Sequence, residues 1–257
     1  MSLSLVTVGT GTVAPSATRS SPAHWVESGD VRLLMDCGAG TIHRLAQFGL
    51  AWERVSHVVL THFHMDHVGE LPALLFALRH ATQREAPLVV LGPAGTVQLL
   101  GRLAAAYGAW VSEPGFPLVL LDLTAGEPFP LAGDVSLEAH ATPHCAESLA
   151  VAVSAPEGRL VYTGDTGEST DLAVWAAGCE LLLAECSLPD AMAIAGHLTP
   201  RRSGALAALA RAKRLVLTHL YPPVETVDIR SAVAMEYAGP VSVARDGDRF
   251  EIVRGRP

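Results

Sequence analysis

The chain has 257 residues, 49% of them hydrophobic, so it can bury a core without cross-links. A formal net charge of -8 argues against a protein that grips nucleic acid by attraction over its whole surface, because neutralising phosphates requires concentrated Lys and Arg. The cysteines at positions 37, 145, 179 and 186 show neither a CxxC pair nor a regular spacing. They therefore indicate neither a disulfide scaffold nor a cysteine-type zinc site.

The first residues carry no positive charge ahead of their apolar segment, and no apolar run approaches the roughly 20 residues of a membrane span. We therefore expect a cytoplasmic protein with no membrane partner. Composition is even along the chain, without a low-complexity tract or charged tail that would mark a linker. Our interpretation is a single domain over residues 1–257.

Strand patterns dominate the start of the chain, over residues 3–8, 23–28 and 31–36, with turn residues between the last two. Helical spacing follows over residues 41–48, 71–81 and 94–107, separated by apolar strands at 55–60 and 88–91. Strand patterns return near residues 119, 135, 149 and 160, and helix and strand alternate from residue 172 onwards. This order predicts an α/β fold in which two sheets pack face to face with helices outside.

Two predicted strand ends nearly repeat each other, since residues 58–62 read VVLTH and residues 215–219 read LVLTH. Each delivers a His, His62 or His219, and the repeat hints at two similar halves with functional loops at one edge.

Residues 9–14 match the residue pattern of a dinucleotide-binding loop, but they lack its structural context. Pro15 and the Ser and Thr residues after it leave no helix to receive a pyrophosphate, so we interpret this segment as a tight loop.

The segment His62-Phe63-His64-Met65-Asp66-His67 places three imidazoles and a carboxylate directly after an apolar strand. His62 and His64 can project from extended chain toward one ion, and Asp66 and His67 can face a second ion once the chain turns into a helix. Neutral imidazole with carboxylate suits zinc, and iron and manganese are also permitted. The spacing predicts a metal site.

This motif resembles the defining motif of the metallo-β-lactamase superfamily, and other landmarks are similar to its ribonuclease Z-like branch. They are Gly9-Thr10-Gly11 with Arg19-Ser20-Ser21 downstream, and the loop Asp36-Cys37-Gly38. The resemblance spans nearly the whole chain. It implies a four-layer αββα sandwich with a dinuclear centre in a cleft at the sheet edges.

The resemblance also implies the remaining ligands. His144 looks like the third His, Asp165 like a bridging carboxylate, and His219 completes the set. One ion would then be held by His62, His64, His144 and Asp165, and the other by Asp66, His67, Asp165 and His219. His140 is the alternative to His144, although it lies within a predicted strand. The expected cofactors are two divalent ions, zinc first, with manganese or iron as alternatives.

Two such ions activate a water as metal-bridging hydroxide, and Asp66 could orient it and take its proton. His197 narrows the substrate, because Glu185-Cys186-Ser187 followed by His197-Leu198-Thr199 resembles elements of ribonuclease Z-like phosphodiesterases. There this His contacts the phosphate and can protonate the leaving oxygen. The resemblance therefore implies a hydrolase acting on phosphate esters, with Asp66 and His197 as catalytic residues.

Thr199 and Pro200 predict the start of a helix that runs to about residue 212, with Arg201 and Arg202 in its first turn. Cations there oppose the helix dipole unless an anion is present. A bound phosphate and two solvated arginines are both compatible with this pattern.

The sequence departs from ribonuclease Z in three places. Only a hairpin, residues 145–164, replaces the long tRNA-gripping arm; Ala184 stands where a His normally precedes Glu185; and Leu220-Tyr221-Pro222-Pro223 differs from the family pattern. We therefore favour a phosphodiesterase acting on a small or nucleotide-like diester. The alternatives are tRNA 3′ processing, hydrolysis of a lactone, thioester or sulfate ester, and a non-catalytic metal-binding protein, and homo-oligomerisation is left open.

Overall fold

The computed structural model describes residues 2–254, and within that range the strands form two mixed sheets of seven strands each. In chain order the strands are β1 Leu3–Gly9, β2 Ala23–Ser28, β3 Val31–Met35, β4 His57–Val59, β5 Leu88–Gly92, β6 Leu118–Asp122, β7 Phe129–Ala132, β8 Val135–Ala141, β9 Leu149–Ala155, β10 Gly158–Tyr162, β11 Leu181–Glu185, β12 Leu215–Thr218, β13 Val241–Val243 and β14 Arg249–Ile252. The first sheet has the order β14-β1-β2-β3-β4-β5-β6 and the second the order β13-β12-β11-β10-β9-β8-β7. Both mix antiparallel hairpins with parallel strands.

Helices cover the outer face of each sheet. They are α1 Thr41–Gln47, α2 Met65–Val68, α3 Leu71–Ala81, α4 Thr96–Tyr107, α5 Thr170–Trp175, α6 Pro200–Leu209 and α7 Ile229–Ala234. The first four lie in the half of the chain that builds the first sheet, and the last three accompany the second sheet. Among residues 2–254, no helix combines the length and the apolar character that a bilayer span requires.

Three apolar clusters hold these layers together. The central cluster lies between the two sheets and includes Leu33 of β3, Val153 of β9 and Leu183 of β11, all with no exposed surface. A second cluster packs α3 and α4 on the first sheet, and a third packs α5, α6 and α7 on the second. The four-layer αββα sandwich predicted from the sequence is therefore confirmed.

Parallel strands near the middle of each sheet set the position of the candidate site. In the first sheet β3, β4 and β5 are parallel, and in the second sheet β10, β11 and β12 are parallel. Because parallel strands end at the same edge of a sheet, the loops that follow them lie side by side. The loop of residues 10–22 after β1 joins that edge, and the next element is a strand, in agreement with the rejection of nucleotide binding there.

Candidate metal centre

The first sheet supplies the segment from His62 to His67. Just beyond β4, His62 is buried and His64 is exposed, and the chain then enters α2, whose first turn contains Asp66 and His67. The backbone of this segment packs closely against the loop after β3, since a Cβ on Gly38 would overlap the Asp66 carbonyl oxygen. A glycine at position 38 therefore lets α2 approach and fixes where its side chains point.

The second sheet supplies three further side chains. His144 lies in the loop between β8 and β9, Asp165 follows β10, and His219 follows β12. His219 has a φ of 55°, a left-handed backbone that is costly for a residue other than glycine. This unfavourable backbone conformation thus occurs at the residue whose imidazole lies among the candidate metal ligands.

Four side chains form the first group of converging atoms, with His64 at its centre. His64 Nδ1 lies 3.0 Å from His62 Nε2 and 3.2 Å from His144 Nε2. Asp165 Oδ2 lies 3.8 Å from His62 Nε2 and 3.7 Å from His144 Nε2. These four ligand atoms all lie within 4.8 Å of one another.

The second group meets the other oxygen of the same carboxylate. Asp165 Oδ1 lies 3.4 Å from His67 Nε2 and 3.3 Å from His219 Nε2. Asp66 Oδ2 lies 3.9 Å from His67 Nε2 and 3.5 Å from His219 Nε2. Asp165 thus faces one group with each oxygen, which is the arrangement of a bridging ligand.

Both groups fit divalent metal ions. A tetrahedral zinc with bonds of about 2.0–2.1 Å separates its ligand atoms by about 3.3–3.4 Å, close to the distances above. His67 Nε2, His219 Nε2 and Asp165 Oδ1 are buried and make no hydrogen bond within the described residues. Buried polar atoms normally have partners, so these three atoms point to a ligand in the space between them.

Hydrogen bonds from the protein hold the outer nitrogens of the candidate ligands. His67 Nδ1 lies 2.8 Å from Asp36 Oδ2, which also accepts from the hydroxyl of Tyr162 at 2.9 Å. The other oxygen of Asp36 accepts from the Thr61 backbone N–H at 2.8 Å. His144 Nδ1 donates to the Gly196 carbonyl at 2.8 Å. Such contacts fix the ring orientation and leave the inner nitrogen free for a metal.

A buried network links His219 to His197. Ser187 Oγ lies 2.9 Å from His219 Nδ1 and donates to Glu185 at 2.5 Å. Glu185 also accepts from His197 Nδ1 at 3.1 Å and from the Thr166 backbone N–H at 2.6 Å. The Nδ1 of His197 is thereby occupied, and its Nε2 is the ring nitrogen that remains available to a ligand.

The environment shifts the pKa values of these groups in different directions. Burial lowers the pKa of His62 to about 2, and the charge of nearby His67 adds to this, so His62 is the neutral imidazole that a metal needs. Burial alone would lower the pKa of His197, but the hydrogen bond and charge of Glu185 outweigh it and raise the pKa above its usual value. His197 therefore favours the protonated state that can donate a proton.

The remaining sequence candidates have other roles. His140 lies in β8 and stacks on Trp175 with a ring separation of 5.2 Å, away from the metal-ligand groups. Helix α6 begins at Pro200 as expected, and a carboxylate of the protein itself lies at its start, where a bound phosphate was one of two alternatives. The Asp190 carboxylate accepts from Thr199 Oγ1 and from the Arg201 backbone N–H at 3.2 Å.

The two arginines of α6 also have protein partners. Arg201 pairs with Glu236 at 2.6 Å and Arg202 pairs with Glu168 at 3.1 Å. Their conflict with the helix dipole is thus offset by three carboxylates, and a bound phosphate is not needed to explain it.

Sequence reasoning did not assign the residues that orient the ligands. Asp36 and Ser187 lie in the landmarks Asp36-Cys37-Gly38 and Glu185-Cys186-Ser187, but the sequence analysis gave neither residue an orienting role, and Gly196 contributes only its carbonyl oxygen. The available signal was position in the chain, because Asp36 directly follows β3 and Ser187 lies two residues after β11, at the same edge as the metal motif. A search for polar residues at the strand ends beside the metal motif would have found Asp36 and Ser187.

Known proteins share this architecture. Ribonuclease Z of Mycobacterium bovis is 27% identical over 277 residues, covering 97% of this chain and 98% of that protein. Human tRNase Z, short form, aligns with a TM-score of 0.79 at 26% identity, covering 97% of this chain and 99% of that one. The metallo-β-lactamase fold protein YhfI of Bacillus subtilis aligns with a TM-score of 0.82 at 24% identity, covering 97% and 98%.

Two packed sheets that deliver imidazoles and carboxylates to one shared edge define a metal-dependent hydrolase of the αββα class. The Beta-lactamase superfamily domain matches residues 31–220, which include every candidate ligand. The chain therefore belongs to the metallo-β-lactamase superfamily, and it is similar to the ribonuclease Z proteins of that superfamily.

Proposed function

We propose that this protein is a phosphodiesterase that works with two divalent ions, zinc in the first place and manganese or iron as alternatives. His62, His64 and His144 would hold one ion, Asp66, His67 and His219 the other, and Asp165 would bridge them. Two ions are supported by the position of Asp165 between the two ligand groups. Each of its carboxylate oxygens lies 3.3–3.8 Å from the imidazole nitrogens of a different group.

Such a pair of ions would supply an activated water and would neutralise charge on the phosphate oxygens. The chain's own residues then position the reactants. Burial alone would raise the pKa of Asp66, but the imidazoles of His67 and His219 lower it to about 2. Asp66 therefore remains an anion that can orient the attacking water and accept its proton.

The observation that carries the proposal is the placement of His197 beside the shared carboxylate. His197 Nδ1 lies 3.1 Å from Glu185 and 4.0 Å from Asp165 Oδ2, so the ring stands at the edge of the candidate metal centre. Its raised pKa keeps a proton available at Nε2. That proton can contact a phosphate oxygen and pass to the leaving oxygen as the ester bond breaks.

We propose a small or nucleotide-like diester as the substrate. The segment between His144 and Asp165 consists of the hairpin β9–β10 and short loops, so it offers no long arm for holding RNA. Arg201 and Arg202, the arginines nearest in sequence to His197, are paired with Glu236 and Glu168. A compact phosphodiester needs neither feature.

The test is hydrolysis of bis(p-nitrophenyl) phosphate by protein loaded with Zn²⁺ or Mn²⁺. We expect turnover by the native protein, loss of nearly all of it in Asp66→Ala, and a fall of about 10²- to 10⁴-fold in His197→Ala, the usual contribution of a general acid. His140→Ala is the matched control, since that ring stacks on Trp175, and it should retain full activity. No hydrolysis by metal-loaded native protein would falsify the proposal.

A second candidate is tRNA 3′ processing, which the similarity to the ribonuclease Z of Mycobacterium bovis favours, since the alignment covers 98% of that protein. Incubation with a precursor tRNA distinguishes the two. Accurate cleavage at the 3′ end at a rate far above that of the aryl diester would support ribonuclease Z over a small-diester enzyme. If His197→Ala keeps full activity on a lactone, thioester or sulfate ester, the substrate belongs to that other ester class.

We also propose a cytoplasmic location. All four cysteines are unpaired, and three of them are buried. Unpaired thiols are typical of a reducing compartment. Cell fractionation with antibody detection tests this, and recovery in an extracytoplasmic fraction would contradict it.

A further inference from the structure

Tyr221 is an aromatic residue at the metal centre that the proposed chemistry does not use. It follows the candidate ligand His219 by two residues and is partly exposed. Its ring stands nearly perpendicular to the His219 ring, at 79° and 5.7 Å between centroids. It also stands nearly perpendicular to the His197 ring, at 77° and 6.4 Å. The His197 and His219 rings are parallel within 11° with 5.7 Å between their centroids, so the Tyr221 ring lies beside this pair at similar distances from both.

The backbone around Tyr221 is tied to two other loops of the site. The Tyr221 N–H donates to the Ser187 carbonyl at 3.2 Å, and the Leu220 N–H donates to the Thr10 carbonyl at 2.9 Å. Pro222 and Pro223 follow, which restrict the chain further. The Tyr221 hydroxyl interacts with the side chain of Thr12. The ring is therefore a preorganised wall of the cleft and not a freely moving surface side chain.

Two of the three aromatic rings around His197 belong to candidate metal ligands. Within residues 2–254, His197 has ring contacts with His144 at 4.7 Å, with His219 and with Tyr221. His144 and His219 are candidate metal ligands. Tyr221 is thus the aromatic surface next to His197 that a substrate group can use.

The loop of residues 10–22, which contains Thr12, offers no unpaired positive charge. Arg19, the arginine of this loop, is 9% exposed in its side chain and pairs with Glu225 at 2.7 Å, so its charge is already neutralised. A planar apolar group would gain contact with the Tyr221 ring, whereas an anionic group would find Arg19 already paired with Glu225.

From this geometry we infer that Tyr221 is a specificity-determining residue, which binds an aromatic leaving group of the phosphodiester against its ring. This inference rests on the proposed function, in which His197 gives its proton to the leaving oxygen. The group attached to that oxygen must lie within a few bonds of His197, and Tyr221 is the next surface it meets.

The kinetic test uses two substrates that share p-nitrophenolate as leaving group, bis(p-nitrophenyl) phosphate and methyl p-nitrophenyl phosphate. We expect Tyr221→Ala to raise KM for both by on the order of 3- to 10-fold, the value of one aromatic contact, with kcat changed less than about 3-fold. Tyr221→Phe, which keeps the ring, should stay within about 2-fold of the native KM. Tyr107→Ala, a tyrosine at the end of α4, is the control and should leave KM unchanged.

A binding test does not depend on turnover. Calorimetry on zinc-loaded protein should show tighter binding of phenylphosphonate than of methylphosphonate, and Tyr221→Ala should abolish that difference. If native protein hydrolyses neither diester, the proposed function fails, and the phosphonate pair still decides the role of Tyr221.

Three results would overturn the inference. A KM rise confined to bis(p-nitrophenyl) phosphate would place Tyr221 at the group that stays on the phosphate. A fall in kcat with unchanged KM, or an equal preference for phenylphosphonate in native protein and Tyr221→Ala, would show that the ring only supports the fold. Far-UV circular dichroism and zinc content of each variant establish that folded, loaded proteins are compared.

Discussion

Single buried residues behind the candidate ligands determine where the imidazole rings point. Asp36 has a φ of 59°, an unusual backbone for a residue other than glycine, and it accepts hydrogen bonds from His67, Thr61 and Tyr162. An aspartate tolerates this backbone better than most residues, and its charge raises the basicity of the ring it holds. Asp36 is thus a positioning residue for His67.

The change Asp36→Asn should weaken zinc binding by about 10- to 100-fold, because the amide keeps the shape but loses the charge that orients and polarises His67. Competition with a fluorescent zinc chelator measures the affinity. Asp30→Asn, in the exposed turn between β2 and β3, is the control and should not change it. Equal zinc affinity in Asp36→Asn and native protein would show that Asp36 does not support the metal centre.

The Glu185→Gln change tests the raised pKa of His197. In the proposed mechanism His197 acts while protonated, so its raised pKa would extend activity to higher pH, and activity would be lost as pH rises through that pKa. Removing the Glu185 charge lowers the pKa, so the alkaline limb of the pH–rate profile should move to lower pH. Profiles of kcat/KM between about pH 5 and pH 10 for native protein and Glu185→Gln measure this shift of the alkaline limb. A limb that stays in place would assign the titration to a different group.

At the scale of elements, strand ends and one short helix bring the site together. β4 ends just before Thr61 and His62, and β12 ends just before His219, each in a row of parallel strands. α2 then turns Asp66 and His67 toward the second group, and its approach depends on Gly38. The proposed second ion therefore depends on where α2 lies, because α2 carries Asp66 and His67.

We expect Gly38→Ala to push α2 away from the loop after β3, because the new Cβ would overlap the Asp66 carbonyl oxygen. Zinc stoichiometry should fall from two toward one, and the free energy of unfolding should drop by about 2 kcal/mol. Metal analysis and urea denaturation measure these effects. Gly101→Ala is the control, because its Cβ meets nothing within 4 Å in α4, and it should slightly increase stability. Full zinc content in Gly38→Ala would contradict this view of α2.

At the scale of the whole molecule, the candidate ligands come from both sheets. His62, His64, Asp66 and His67 follow β4 of the first sheet, and His144, Asp165 and His219 follow strands of the second. The apolar cluster between the sheets, which includes Leu33 and Leu183, holds them together without any ion. A bound metal pair would therefore add a second connection at the edge of an already packed sandwich.

Metal removal should lower the thermal midpoint without unfolding the protein at room temperature. Binding at about 1,000 times Kd contributes about 4 kcal/mol, which corresponds to about 8–16 °C for a chain of this size. Thermal unfolding in EDTA and in excess Zn²⁺ measures the shift, and far-UV circular dichroism at 25 °C should be the same in both. An identical midpoint in the two conditions would mean that the ligands do not bind metal in the folded state.

The pattern of the sequence alone predicted much of this organisation. Apolar period and turn residues located β2 and α3 to the residue, because a short β-rich run next to turn residues and an amphipathic helix both carry strong local signals. Strand β7 was missed, since its Phe129-Pro130 start and half-exposed pattern give no such signal. The cluster from His62 to His67 also carried its own evidence, because four potential ligands occur within one short segment.

Tertiary structure decided what depends on distant residues meeting. The resemblance and the predicted strand around His140 favoured His144, and the fold then places His144 in the loop between β8 and β9 beside His64 while His140 stacks on Trp175. The ion pairs of the α6 arginines and the position of the Tyr221 ring beside His197 could not be predicted from the sequence either, because the partner residues lie far away in the chain. The sequence by itself determined the ligand types and the strand ends that carry them. The packing of the two sheets decided their distances and partners, because burial and hydrogen bonding are properties of the folded neighbourhood and not of the local chain.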